Sequence, residues 1–403
     1  LEQIVPIRQT DRMVVGLCLF AAVFEGVDLQ SAGVAAPRLM QSLDLPPGHL
    51  GWFFSASTAG LMLGAVVGGR LSDRYGRKIS LLWSMATLGI FSLVTGFSQD
   101  IEQLVTARFL TGIGLGGALP NLLALMAENT PMERRSAMIS VLYAAMPCGG
   151  ALISLVSYLG SDPSSWRAIF MFGGLAPLLA VPALMRFLPD AAVPPRLEND
   201  PGISFARAVF GEGRAVTSMV LWVAFFLALV TMYVLLSWLP SLLVGRGLSR
   251  PDAALVQIAF NLCGAAGSVL TGRLMDGGGR RWPVVASAYA FTLLSVALVA
   301  SVPPLLAVCI AVGSALGASV SGTQTILYGL APSVYPMRLR GHRRRHGRRL
   351  RPHRLGGGAL HRRPAAGCRP SAGGGADRPA AGSYRSGGRD DPPGPAPSER
   401  GVT

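Results

Sequence analysis

The sequence predicts an all-α integral membrane protein made of two related halves. Three observations carry this: apolar windows long enough to cross a bilayer, a composition no soluble domain shows, and a gapless internal echo. Half of the 403 residues are hydrophobic, 14% are charged and the mean hydropathy is +0.44, which excludes an ordinary soluble chain. A spanning helix needs about 20 mostly apolar residues. Ten such windows occur, at 13–40, 50–70, 79–97, 101–126, 136–160, 166–188, 215–240, 252–275, 282–301 and 304–331.

The first window carries two acids in "FEGVDLQSAG", Glu25 and Asp28. A charge at mid-bilayer depth costs roughly 2.5–3.5 kcal/mol on insertion scales, so intramembrane carboxylates mark a functional site. One helical turn apart, they share a face. Both cannot hold a charge away from water without a cation nearby, which makes the pair a candidate proton carrier. A structural alternative is that one acid pairs with Arg108 or caps a helix break at Gly26.

Between the sixth and seventh windows a Pro- and charge-rich connection from Pro189 to Arg214 separates the halves. The domains expected are 1–188, a linker 189–214, a second half 215–341 and a tail 342–403. Basic residues fix the orientation. Arg8, Arg12, Arg70, Arg74, Arg77, Lys78, Arg134, Arg135, the linker arginines, Arg273, Arg280, Arg281, Arg338 and Arg340 all fall on one side. That side is expected to be the cytoplasm, N-terminus included, with Arg246 and Arg250 as the exceptions.

"GRLSDRYGRK" from Gly69 aligns without a gap on "GRLMDGGGRR" from Gly272, placing Asp73 over Asp276, Gly76 over Gly279 and Arg77 over Arg280. "PMERR" from Pro131 matches "PMRLR" from Pro336. Echoes in register predict duplicated halves that bind a substrate between them near the midplane and rock around it.

Enzyme classes find no support: no nucleophile with a paired base, no metal spacing and no phosphate loop. "GIGLGG" at 112–117 looks like a dinucleotide loop but sits inside an apolar span without a preceding strand. The five cysteines are scattered and read as packing residues. No cleavable signal is expected before the first span. The formal charge of +15 does not point to nucleic acid, because it is concentrated in the tail, where 14 Arg face four acids.

The loop after the second window resembles the signature of the major facilitator superfamily, through Gly69, Leu71, Asp73, Arg74, Gly76, Arg77 and Lys78. Arg108, Gly112, Gly114 and Gly116 match its fourth-helix pattern, and Pro147, Gly149 and Gly150 its fifth. Glu25-Gly26-Val27-Asp28, "GWFFSA" at 51–56 and "GLGGALPNLLAL" from Gly114 resemble the aromatic acid:proton symporters, above all transporters of 3-(3-hydroxyphenyl)propionate and related acids.

The resemblance implies the superfamily fold of two six-helix halves, and proton-coupled import of an aromatic carboxylate by alternating access. A monomer in the cytoplasmic (inner) membrane is expected, with the proton gradient in place of a cofactor. Glu25 and Asp28 would handle the proton. Arg108 would engage the substrate carboxylate, hold one of the acids between cycles, or snorkel to the interface. Tyr143, Tyr233, Gln257, Asn261, Gln324 and Tyr328 are the ring surfaces and polar groups available to an aromatic acid. Gly69, Asp73, Arg74, Gly76, Arg77, Glu128, Arg135, Asp276 and Arg280 would form the gate that sets the rocking equilibrium. A drug:proton antiporter and a non-transporting sensor or inactive product are the alternatives.

After Gly341 the repeat predicts an eleventh apolar helix, but the chain reads "HRRRHGRRLRPHR". Seven Arg there would cost on the order of 20 kcal/mol to insert. Read as a real tail, this segment suits anionic lipid or RNA. Back-translated with G+C-rich codons and shifted by one base, it yields Thr-Gly-Val-Gly-Met-Ala-Ala-Ala-Cys-Gly-Arg-Ile-Gly-Ser, an apolar small-residue helix. A frameshift near Gly341 that replaces helices eleven and twelve is therefore expected. Resequencing codons 335 to 360 should reveal an extra or missing base with two apolar spans downstream in the restored frame; an intact frame removes the hypothesis.

Overall fold

The computed structural model describes residues 9–131, 134–160, 162–188, 211, 213–276 and 281–334. The chain divides into two units, 1–342 and 343–403, and only the first contains described residues. The expected tail, Arg280 and most of the linker lie outside them, as does the side chain of Asp276.

Among the described residues ten helices are long and apolar enough to cross a membrane. They are α1 (Gln9–Ser42), α2 (Pro47–Tyr75), α3 (Arg77–Phe97), α4 (Ile101–Glu128), α5 (Arg135–Leu159), α6 (Trp166–Phe187), α7 (Ala215–Gly245), α8 (Arg250–Asp276), α9 (Arg281–Ser301) and α10 (Leu306–Val334). Each coincides with a predicted window, and α1, α2, α7 and α10 run past it by about a turn. Asp100 caps α4 by accepting from the Gln103 N–H at 2.8 Å. The basic exceptions Arg246 and Arg250 also find work at helix ends. Arg246 donates to the carbonyls of Val299 and, at 2.6 Å, Val302 at the end of α9, while Arg250 bonds Gln41 of α1.

Small residues bring the helices to backbone contact. A Cβ at Gly60 or Gly64 of α2 would land on the Phe109 or Ile113 carbonyl of α4, and one at Gly112 or Gly116 of α4 on the Ser57 or Leu61 carbonyl of α2. The second half repeats the device between α8 and α10: Gly317 abuts the Phe260 carbonyl and Gly267 the Ala318 backbone. Such closeness lets dispersion and weak polar contacts replace the hydrophobic drive that lipid abolishes.

The halves differ in what covers their equivalent helices. In the first, α5 packs on α1 and α6 on α3. Helices in those places are not found for α7 and α9 among the described residues. More than half of the apolar stretch of α1 (56%) is buried in the bundle against 11% for α7, and 50% for α3 against 6% for α9. Val216, Phe226, Trp282 and Leu293 are each at least 66% exposed. The bare faces are where two further helices, by the repeat, would lie.

Two cores fill the first half, one around Cys18, Met85, Leu122 and Leu184 toward the basic end, the other around Leu39, Phe53, Trp166 and Phe170. A third joins Leu236, Leu239, Phe260 and Leu316 in the second half. Gly116→Leu should part α2 from α4 and cost about 1–3 kcal/mol, read as a lower unfolding midpoint in detergent, whereas Gly69→Ala, whose Cβ would meet open space, should leave it unchanged.

Candidate functional site

The two acids of α1 are sent to different surroundings. Residues three apart on a helix differ by about 60° around its axis, enough to aim Asp28 at α4 while Glu25 faces elsewhere. No break intervenes: α1 is continuous, and Gly26 serves to seat the Met146 backbone of α5.

Asp28 is wholly buried and held by Arg108, whose Nη1 donates to Oδ1 at 3.1 Å and to Oδ2 at 3.2 Å. Nη2 lies 3.4 Å from the Asp28 carbonyl and 3.3 Å from Ser57 Oγ. Phe53 and Phe170 flank the guanidinium, with their ring centres 5.9 and 5.7 Å from Cζ. Arg108 is 1% exposed, so it does not snorkel. A substrate carboxylate would have to displace Asp28 to reach it.

Glu25 is as deeply buried, at 2% exposure, yet its Oε2 has no hydrogen-bond partner and no cation pairs with it among the described residues. Tyr143 of α5 and Tyr233 of α7 lie within its electrostatic reach. Tyr143 stacks on Tyr328 of α10 with ring centres 4.9 Å apart, and Phe225 of α7 meets Tyr328 edge-on at 5.3 Å. An unpaired carboxyl thus lies within reach of one tyrosine from each half, and Tyr143 carries the contact on to Tyr328 and Phe225. Gln324, one turn before Tyr328 on α10, is buried with both amide atoms unpaired.

Gln257 and Asn261 are engaged elsewhere. Asn261 exchanges two hydrogen bonds with Gln30 of α1, donating at 2.8 Å and accepting at 2.9 Å, and Gln257 donates to the same Gln30 oxygen at 3.2 Å. This amide clasp joins the halves. Sequence reasoning missed Gln30, although a glutamine inside an apolar window was the available signal. It also missed Arg38, buried in α1, which donates to the Ser157 hydroxyl at 2.5 Å and to the carbonyls of Ser157 and Gly160 at 2.7 and 2.9 Å.

Of the expected gate residues, the structure joins Arg77 to Glu128, tying the start of α3 to the end of α4. Gly76 makes the tight turn between α2 and α3 with φ of 89°, a region L side chains avoid. Asp73 and Arg74 are exposed in the last turn of α2, and Arg135 has its Nε buried without a partner.

A family model described as Major Facilitator Superfamily matches residues 18–343. The chain belongs to the major facilitator superfamily. A 3-(3-hydroxyphenyl)propionate transporter of Escherichia coli strain K12 is 39% identical over 331 residues, 81% of this chain and 80% of the relative. A gallate transporter of Pseudomonas putida is 32% identical over 369 residues, 83% of this chain and 81% of the relative. The xylose transporter XylE from E. coli, solved in a partially occluded inward-open conformation, has the same fold, with a TM-score of 0.64 at 19% identity over 81% of this chain and 88% of that one. As a superfamily member this chain is a multi-pass membrane transport protein and not an enzyme.

Asp28→Ala should strand the Arg108 charge among aromatic rings and cost about 3–5 kcal/mol, measured as a drop in the detergent unfolding midpoint. Combining Asp28→Leu with Arg108→Met should recover most of that loss, because no charge is then left unpaired.

Proposed function

We propose that this chain is built to import an aromatic carboxylate together with a proton across the bacterial inner membrane, its N-terminus in the cytoplasm, by rocking of the two halves as a monomer. The observation that carries this is Glu25: a buried carboxyl with no cation among the described residues, within electrostatic reach of Tyr143 and Tyr233, one tyrosine from each half. The transporters of aromatic acids among its relatives support the substrate class.

The chemistry runs as follows. A buried carboxylate without a counter-charge is costly, so Glu25 takes up a proton when the site closes around an anionic substrate and gives it up on the cytoplasmic side as the substrate leaves. An anionic substrate is repelled by ionised Glu25 and accepted by the neutral acid, which can donate a hydrogen bond to the substrate carboxylate. Substrate and proton therefore load together. Tyr143, Tyr233 and Tyr328 offer hydroxyl donors to the carboxylate and flat surfaces to the ring. Asp28, neutralised by Arg108, stays out of the proton step and holds α1 against α4. The Gln30 clasp and the Arg77 to Glu128 pair are contacts whose making and breaking would accompany the rocking.

The bare faces of α7 and α9 favour a second reading for the chain as translated: a ten-helix remnant that binds the acid without concentrating it. Reconstituted into proteoliposomes, a version with the reading frame restored after Gly341 should accumulate labelled 3-(3-hydroxyphenyl)propionate when the outside is made acidic, and a protonophore should abolish the accumulation. Glu25→Gln in that version should reduce accumulation to background while leaving counterflow exchange. Accumulation that persists at wild-type level in Glu25→Gln removes Glu25 from the proton path, and accumulation by the unrestored chain removes the remnant reading.

A further inference from the structure

Gln324 differs from the other amides at the meeting of the halves, Gln30, Gln257 and Asn261, in having both ends of its amide unpaired. Arg108 is taken by Asp28, and Asn261 by Gln30. The Gln324 carboxamide, in a residue only 5% exposed, has neither Oε1 nor Nε2 bonded. Leaving both ends of a buried amide unpaired is unfavourable, which suits a group whose partner arrives and departs.

Its position is fixed by its neighbours on α10. Tyr328, one turn further, shares its side of the helix and stacks on Tyr143 against the edge of Phe225. Val320, one turn back, belongs to the dry core with Leu236 and Leu239 of α7. Gln324 thus stands at the boundary between the aromatic cluster and that core.

The chemistry of the free amide restricts what it can meet. Oε1 only accepts and Nε2 only donates. A carboxylate would satisfy Nε2 and be repelled by Oε1. A hydroxyl both donates and accepts, and so can answer either end. An aromatic ring lying against Tyr143 and Tyr328 would carry its substituents toward this boundary. The geometry points to Gln324 as the residue that reads a ring hydroxyl on the aromatic acid, and so sets a preference for hydroxylated over unsubstituted cargo. This rests on the substrate class proposed above. A site built to bond a hydroxyl rejects the analogue without one strongly, because its own polar group is then left unpaired.

The test is equilibrium binding to the full chain in lipid nanodiscs, with tritiated 3-(3-hydroxyphenyl)propionate displaced by three unlabelled acids. These are the same compound, 3-phenylpropionate, and 3-(3-methoxyphenyl)propionate, which keeps an acceptor oxygen and lacks the donor. The hydroxylated acid is expected to bind at least about tenfold tighter than either analogue. Gln324→Met should bring the three to near equality by weakening the hydroxylated acid alone. A ratio unchanged in Gln324→Met, or all three acids weakened equally, overturns the assignment, the latter by showing a packing role. Equal affinities in the wild-type chain overturn it without recourse to any variant and leave the substrate class standing. Binding of none of the acids overturns both the assignment and the substrate class.

Discussion

A guanidinium and a carboxylate sealed between Phe53 and Phe170 cannot be drawn apart without exposing a bare charge to hydrocarbon, and that constraint fixes how α1, α2 and α4 meet. Arg108 reaches across from α4 to both the side chain and the backbone of Asp28 on α1, and touches Ser57 on α2 on the way. Three helices are located by one buried pair. Its second effect is on the neighbouring acid. Because Asp28 has consumed the cation, Glu25 is left with none among the described residues, and two acids that look alike in sequence acquire opposite surroundings.

The glycine contacts act on the same scale. Where α2 meets α4, and α8 meets α10, backbones touch, so these pairs move as rigid units if they move at all. The contacts between halves are mixed: an amide clasp, an aromatic stack, and one close backbone approach of Gly33 on α1 to the Leu236 carbonyl on α7. The clasp and the stack can be remade at modest cost, which is what a rocking device requires of the surface it rocks upon.

Much of this was legible in the sequence. The ten helices follow from hydropathy, because the bilayer demands about 20 apolar residues whatever the tertiary context. The gapless echo at Gly69 and Gly272 announced the repeat, which reappears as matching α2 to α4 and α8 to α10 contacts. At the site, spacing brought Glu25 and Asp28 onto one face, but a face has width. The sequence could not say that 60° of rotation would put one acid against Arg108 and the other against tyrosines from α5 and α7. Gln30 escaped notice because its partners lie more than 220 positions away. Gln257 and Asn261 looked available for the same reason. Arg38 lay in plain view within an apolar window, and its carbonyl partners at the end of α5, Ser157 and Gly160, carry no side-chain signal at all.

The amide clasp also has an electrical consequence. Gln30, Gln257 and Asn261 carry no net charge, and Asp28 with Arg108 sums to zero, so a membrane potential does no net work when these groups shift together. A moving unit charge exchanges about 2.3 kcal/mol with each 100 mV across the bilayer. If Glu25 carries the proton as proposed, the field acts near the midplane through that proton and whatever charge the cargo brings. One proton carried with one monoanion cancels, and a cycle built on this site would feel a pH difference while remaining blind to voltage.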